Sequence, residues 1–156
     1  MARTNSLALS PKATDLLSAA LRHVRDAEHL LDDTTGCSSP DQAYHLAGFG
    51  PECARKATVS LRWLDKALGH GVEEASAEVV EFALALAPLA RRYDPGMHAG
   101  RWPELSAWRP DVRYEKTGTF SEQRAKAIAG EAREVVDTVV VALWADGRLP
   151  EGKNPW

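Results

Sequence analysis

The chain reads as an all-α protein, an antiparallel bundle of four to five helices with a long irregular loop before the last one. Apolar residues recur every three to four positions through each long segment, which is the period of one helix face. No Val/Ile-rich run alternates as a half-buried strand does. A length of 156 residues with 44% hydrophobic side chains supports one ordinary core without disulfides or a structural metal.

The elements follow in order. A first helix is expected from Pro11, a residue suited to the first helical turn, with Leu17, Leu21, Val24 and Leu31 on one stripe and Leu16, Ala20 and Ala27 beside it. Asp32-Asp33-Thr34-Thr35-Gly36 ends it. Ser39, Pro40 and Gln42 then form a capping-box pattern that starts a second helix. Its face runs through Ala43, Ala47, Gly50, Ala54, Ala57, Leu61, Leu64 and Leu68, about eight turns. Pro51 lacks a backbone donor and predicts a kink, while Gly48 and Gly50 permit close approach of another helix. Gly69-His70-Gly71 closes the helix. Val79, Phe82, Ala83, Leu86, Leu89, Ala90 and Tyr93 mark a third helix, bent or ended by Pro88, with Arg91 and Arg92 complementing its C-terminal dipole. From Asp94 to about Gly118 the Pro and Gly residues predict an irregular segment carrying Trp102, Trp108 and Tyr114, and loops of this length are commonly functional. The last helix starts near Ser121, shows Ala125, Ile128, Ala132, Val135, Val139 and Leu143, and stops at Asp146-Gly147. The expected organisation is a tail over 1–10, the helical domain over 11–147 and a frayed tail over 148–156.

Nineteen Lys and Arg against twenty-two Asp and Glu give a net charge of -3, so no global basic excess attracts nucleic acid and such binding requires a local site. Cys37 and Cys53 lack metal-ligand spacing, His45 and His70 have no partner at such spacing, and no signal-like apolar run opens the chain. No metal or cofactor is expected. The expectation is a reduced, soluble, cytoplasmic protein without a membrane partner, with Cys53 as a small core residue and Cys37 exposed.

The run Ala43-Tyr44-His45-Leu46-Ala47-Gly48-Phe49-Gly50-Pro51-Glu52-Cys53-Ala54-Arg55-Lys56-Ala57 resembles the second helix of the HEPN domain family, with its Ala-Gly run followed by Glu-Cys-Ala-x-Lys. Gly69-His70 resembles the family's Gly-His turn and Asp111-Val112-Arg113-Tyr114 its Arg-Tyr element, so the likeness spans roughly residues 12 to 147. Pro51 departs from the commonest pattern. The resemblance implies a helical bundle that frequently dimerises, in a family including RNA-cleaving toxins, nucleotide-binding modules and partners of a minimal nucleotidyltransferase.

RNA-cleaving members carry an Arg and a His a short run apart, so that a guanidinium stabilises phosphorane charge and an imidazole moves a proton. Arg92 and His98, with five residues between them, are the candidate catalytic pair here. The alternative reading makes Arg92 a helix-terminal charge and His98 a loop residue. Glu52 and Lys56 stand four apart, the favourable order for a helical ion pair. Either Glu52 and Arg113 form a structural network locking the loop to the second helix, or Glu52, Lys56, Arg113 and Tyr114 line a ligand groove with Trp102 or Trp108 as a stacking surface.

The leading expectation is a homodimeric HEPN-like module binding a nucleotide or RNA, the dimer being read from the broad stripe Val135, Val136, Val139, Val140, Leu143 and Trp144. The alternatives are a metal-independent ribonuclease of toxin type using Arg92 and His98, and a structural partner, such as the antitoxin-bound half of a nucleotidyltransferase pair.

Overall fold

The structure, a computed structural model, describes residues 8–59, 76–86, 88–96 and 99–150. The described residues are all-α: α1 (Pro11–His29), α2 (Pro40–Thr58), α3 (Ala77–Leu86), α4 (Pro88–Arg91), α5 (Pro103–Ala107) and α6 (Glu122–Ala145), with 3-10 turns at Asp33–Thr35 and Pro110–Tyr114. The Gly69-His70 pair and the far half of the expected second helix lie outside the described residues.

Local chemistry accounts for most of the boundaries. Ser10 caps α1, its hydroxyl accepting the Ala13 amide at 3.1 Å with Pro11 in the first turn. Ser121 caps α6 in the same way through the Arg124 amide at 3.2 Å. At the other end of α6 the Arg148 amide reaches Leu143 and the Gly147 amide reaches Trp144, with Gly147 at φ 66°, a Schellman ending. The capping box at Ser39 is not formed. The Ser39 backbone amide is tied to the Leu30 carbonyl, its φ/ψ of -139°/85° departs from capping geometry, and its side chain makes no cap bond. α2 runs on through Pro51, which is fully buried. The third expected helix is described as α3 and α4, on either side of residue 87, which lies outside the described residues.

α1 lies along α2, and α6 packs on both. Their shared core takes Leu17, Ala20, Leu21 and Val24 from α1, Ala43, Tyr44, Ala47 and Ala54 from α2, and Ile128, Val135, Val136, Val139, Val140 and Leu143 from α6. Gly50 sets the α1–α2 spacing: a Cβ there would lie 2.6 Å from Val24 Cγ2 and 3.3 Å from the Ala20 carbonyl oxygen. The α6 valines read above as a dimer face are fully buried inside the chain, because that stripe meets α1 and α2 together. Trp144 and Val141 are the large apolar residues α6 leaves exposed. The boundary residues also belong to the fold, since Leu9 is buried and its amide donates to the Arg148 carbonyl at 2.8 Å. A second, smaller cluster joins Val59 to Val80, Ala83, Leu84 and Ala90, fixing α3 and α4 to the end of α2.

The segment from 94 to 118 is not wholly irregular. Trp102, Leu105 and Trp108 are buried, and the N-terminus of α5 is held by Glu131, whose carboxylate accepts the Leu105 amide at 2.9 Å. Glu134 accepts the Trp102 indole N–H at 3.1 Å and also pairs with Arg101. Asp41 accepts the amides of Gly118 (2.7 Å) and Phe120 (2.9 Å), and these bonds hold its carboxyl below the usual carboxylate range. Tyr44 stacks on Phe120 with centroids 3.8 Å apart and donates its hydroxyl to Glu104 at 2.9 Å, while Arg124 donates to the same carboxylate at 2.8 Å. Carboxylates on α2 and α6 thus pin the segment at several points. Among the described residues no helix is long and apolar enough to cross a membrane.

Candidate functional site

Pinning the segment leaves a cleft of about 660 Å³ above α2. Its floor is Gly48, Phe49, Pro51, Glu52, Arg55 and Lys56; one wall is Ser76, Glu78, Val80 and Glu81 at the start of α3; the other is Leu105, Ser106, Trp108, Arg109, Pro110 and Arg113. The volume falls in the range of small-molecule sites, about 300–1,000 Å³, and the mixture of apolar lining with convergent charge is their usual composition.

The geometry of the floor follows from the α2 sequence. Gly48 gives Trp108 its seat: a Cβ at that position would fall 2.0 Å from indole Cε2 and 2.3 Å from Nε1. Phe49, one residue on, meets the same indole edge-on with centroids 5.0 Å apart, and meets His45 at 4.9 Å. The Trp108 indole N–H is buried and has no hydrogen-bond partner among the described residues. Glu52 and Lys56 form the expected ion pair, Nζ to Oε1 at 2.7 Å, with the Lys56 side chain nearly buried.

Arg55, three residues after Glu52, is buried and held from two elements. Its Nε donates to Asp94 Oδ1 at 2.9 Å, and its Nη2 donates to Glu81 Oε1 at 2.6 Å and Asp94 Oδ2 at 3.2 Å. Burial opposes the guanidinium charge, but these hydrogen bonds outweigh it and raise the group above its ordinary value. Arg109 donates to the carbonyls of Ser106 (3.1 Å) and Trp108 (2.7 Å). The Arg113 guanidinium lies 4.8 Å from the centroid of the Tyr114 ring. Among the described residues neither Arg109 nor Arg113 lies within ion-pair distance of a carboxylate, and both line the cleft.

The structure therefore brings Glu52, Lys56 and Arg113 into one cleft with Trp108, and leaves two of the other expectations elsewhere. Tyr114 is 77% exposed and does not line the cleft. Trp102 is fully buried with its indole N–H bound to Glu134, so it presents no stacking face. The expected Glu52–Arg113 network is replaced by Glu52–Lys56 and by the Arg55–Glu81–Asp94 cluster. Sequence reasoning missed Arg55, Arg109, Glu78 and Glu81. Arg55 carried the one usable signal, its place one turn from Glu52 on the same helix face.

Arg92 follows α4 on the surface, its side chain 67% exposed, with Nη2 bound to Asp146 Oδ1 at 2.9 Å while Tyr93 donates to Oδ2 of the same carboxylate at 2.8 Å. His98, its proposed partner, lies outside the described residues. His23 and His45 flank Phe49, each with a buried Nδ1 that has no hydrogen-bond partner among the described residues. Burial, with Arg22 beside His23 and Arg113 beside His45, lowers both imidazoles below the ordinary value. Burial pushes the Cys53 thiol up, which suits a packing role, and Cys37 is exposed. Among the described residues no group of three or more His, Cys, Asp or Glu side chains is placed to hold a metal ion. No protein-family model, no curated protein and no solved structure matches the chain.

Proposed function

We propose that this chain is an HEPN-like helical-bundle module that binds a nucleotide or RNA in the cleft above α2 and acts in regulation, as a homodimer. The observation that carries the reading is the convergence of Lys56, Arg109 and Arg113 with the apolar surface of Phe49, Pro51, Val80, Leu105 and Trp108 in one cavity. A phosphate takes the guanidinium wall, where Arg109 and Arg113 provide planar donor arrays suited to its oxygens. A base takes the apolar floor. Glu52 keeps Lys56 in place and balances its charge when the cleft is empty. The dimer reading rests on Trp144 and Val141, both exposed on α6.

Isothermal titration with AMP, CMP and a ten-residue oligo(A) RNA tests the site. Binding by at least one of them, weakened about tenfold or more in Arg113→Ala and Arg109→Ala and unchanged in Arg92→Ala, is the expected result. Absence of binding, or binding unaffected by the cleft substitutions, refutes it. Sedimentation equilibrium of wild type beside Trp144→Glu tests the dimer, which a wild-type monomer at micromolar concentration refutes.

A further inference from the structure

The two walls of the cleft carry opposite charge. Arg109 and Arg113 stand on one wall and Glu78 and Glu81 on the other, each wall packed on α2. Among the described residues no ion pair joins the two walls. Glu81 gives one oxygen to Arg55, and its Oε2 accepts no hydrogen bond among the described residues. Glu78 is held below the usual carboxylate range by its own backbone amide and the Ser76 hydroxyl, with the charge of Arg109 a smaller contribution, so it stays ionised at neutral pH.

Such polarity selects among the ligands the preceding reading allows. A nucleic-acid strand gains affinity by placing several phosphates on Lys and Arg, and here the carboxylates of Glu78 and Glu81 share the cleft with Arg109 and Arg113. A small ligand with an anion at one end and hydrogen-bond donors at the other satisfies both walls. Carboxylates are acceptors only, so a base that presents an exocyclic amine is favoured over one that presents an oxo group, whose lone pairs face the carboxylates.

We infer that Glu78 and Glu81 form a selectivity wall that receives the exocyclic amine of a base whose phosphate is held by Arg109 and Arg113, so that the cleft takes an amine-bearing mononucleotide rather than a nucleic-acid strand. This rests on the nucleotide-binding reading above and narrows it.

Two matched ligand pairs isolate the amine: AMP against purine riboside 5′-monophosphate, and CMP against UMP. Wild type is expected to bind AMP or CMP about tenfold tighter than the amine-free partner, the size of one hydrogen bond to a charged group. The Glu78→Gln/Glu81→Gln variant keeps an oxygen to accept from Arg55, so the wall retains its shape; far-UV circular dichroism and a urea midpoint check its fold. In it the preference falls to about threefold or less, and oligo(A) RNA binds more tightly than to wild type. Amine-bearing and amine-free ligands binding wild type alike, or RNA binding wild type more tightly than AMP and CMP, overturns this inference while the broader reading stands. Failure of all the ligands to bind overturns both.

Discussion

Replacing Gly48 by Ala tests the way the cleft is built. The added methyl would fall 2.0 to 2.3 Å from the Trp108 indole atoms, far inside van der Waals contact, and the indole is buried, so it must leave its seat. Full displacement costs at most what truncating a buried Trp costs, about 3–5 kcal/mol. Ala in place of Gly inside a helix returns about 1 kcal/mol. The net expectation is a loss of about 2–4 kcal/mol, read as a lower urea midpoint by far-UV circular dichroism at constant slope. Two companions make the reasoning specific. Gly130→Ala on α6, where a Cβ meets nothing within 4 Å, gains up to about 1 kcal/mol. In a Trp108→Ala background the clash is gone, so Gly48→Ala changes sign and stabilises by about 1 kcal/mol. Gly48→Ala as stable as wild type, or equally damaging in both backgrounds, refutes the argument.

Other consequences follow from the same contacts. Burial and the bond to Glu104 push the Tyr44 phenol up to about 12, so its protonated form contributes stability that is complete below about pH 10 and lost as pH rises towards 12. Tyr44→Phe is expected to lose about 1–2 kcal/mol at neutral pH and to abolish this alkaline step in urea midpoints; a step that persists contradicts the assignment. His23 and His45 have lowered folded values, so the unfolded chain takes up protons first and stability present above about pH 6.5 declines as pH falls below it. Arg22 and Arg113 reinforce this, and Asp26 and Glu52 oppose it at His23. The depressed carboxylates of Asp41 and Glu104 act lower, near pH 4, so urea midpoints between about pH 7.5 and 5.5 read the histidines, and His23→Gln/His45→Gln should flatten them. Asp94→Ala strips the buried Arg55 of its two-point clamp and is expected to cost about 3 kcal/mol by urea denaturation, a cost under about 1 kcal/mol contradicting the role given to that pair.

What could be read from sequence was what depends on near neighbours. Pro11, Ser121 and Asp146-Gly147 mark helix ends because the groups that set those ends lie within a few residues. Ser39-Gln42 carries the same kind of signal, and there a tertiary bond to Leu30 prevails. α5 escaped notice because five residues form a helix only when packing completes it, and its packing is Glu131 at its first amides with Trp102 and Leu105 in the core. The α6 stripe was legible as apolar but not as internal, since its breadth reflects two helices meeting it at once. For the site, Glu52 and Lys56 declare themselves by helical spacing. The buried role of Arg55 rests on Glu81 and Asp94, 26 and 39 residues away, which no local pattern predicts. Gly48 read as a place for another helix, and it is the seat of an indole 60 positions later.

The most direct test of the central claim is the indole region of a proton–nitrogen correlation spectrum during titration with AMP, the Trp108 and Trp102 signals assigned by Trp108→Phe and Trp102→Phe. Trp108 lines the cleft with an N–H that has no partner among the described residues, while the Trp102 N–H is committed to Glu134. A saturable shift of the Trp108 indole signal with little change at Trp102 is expected. A Trp108 signal that stays fixed at saturating AMP, or shifts confined to indoles outside the cleft, contradicts it.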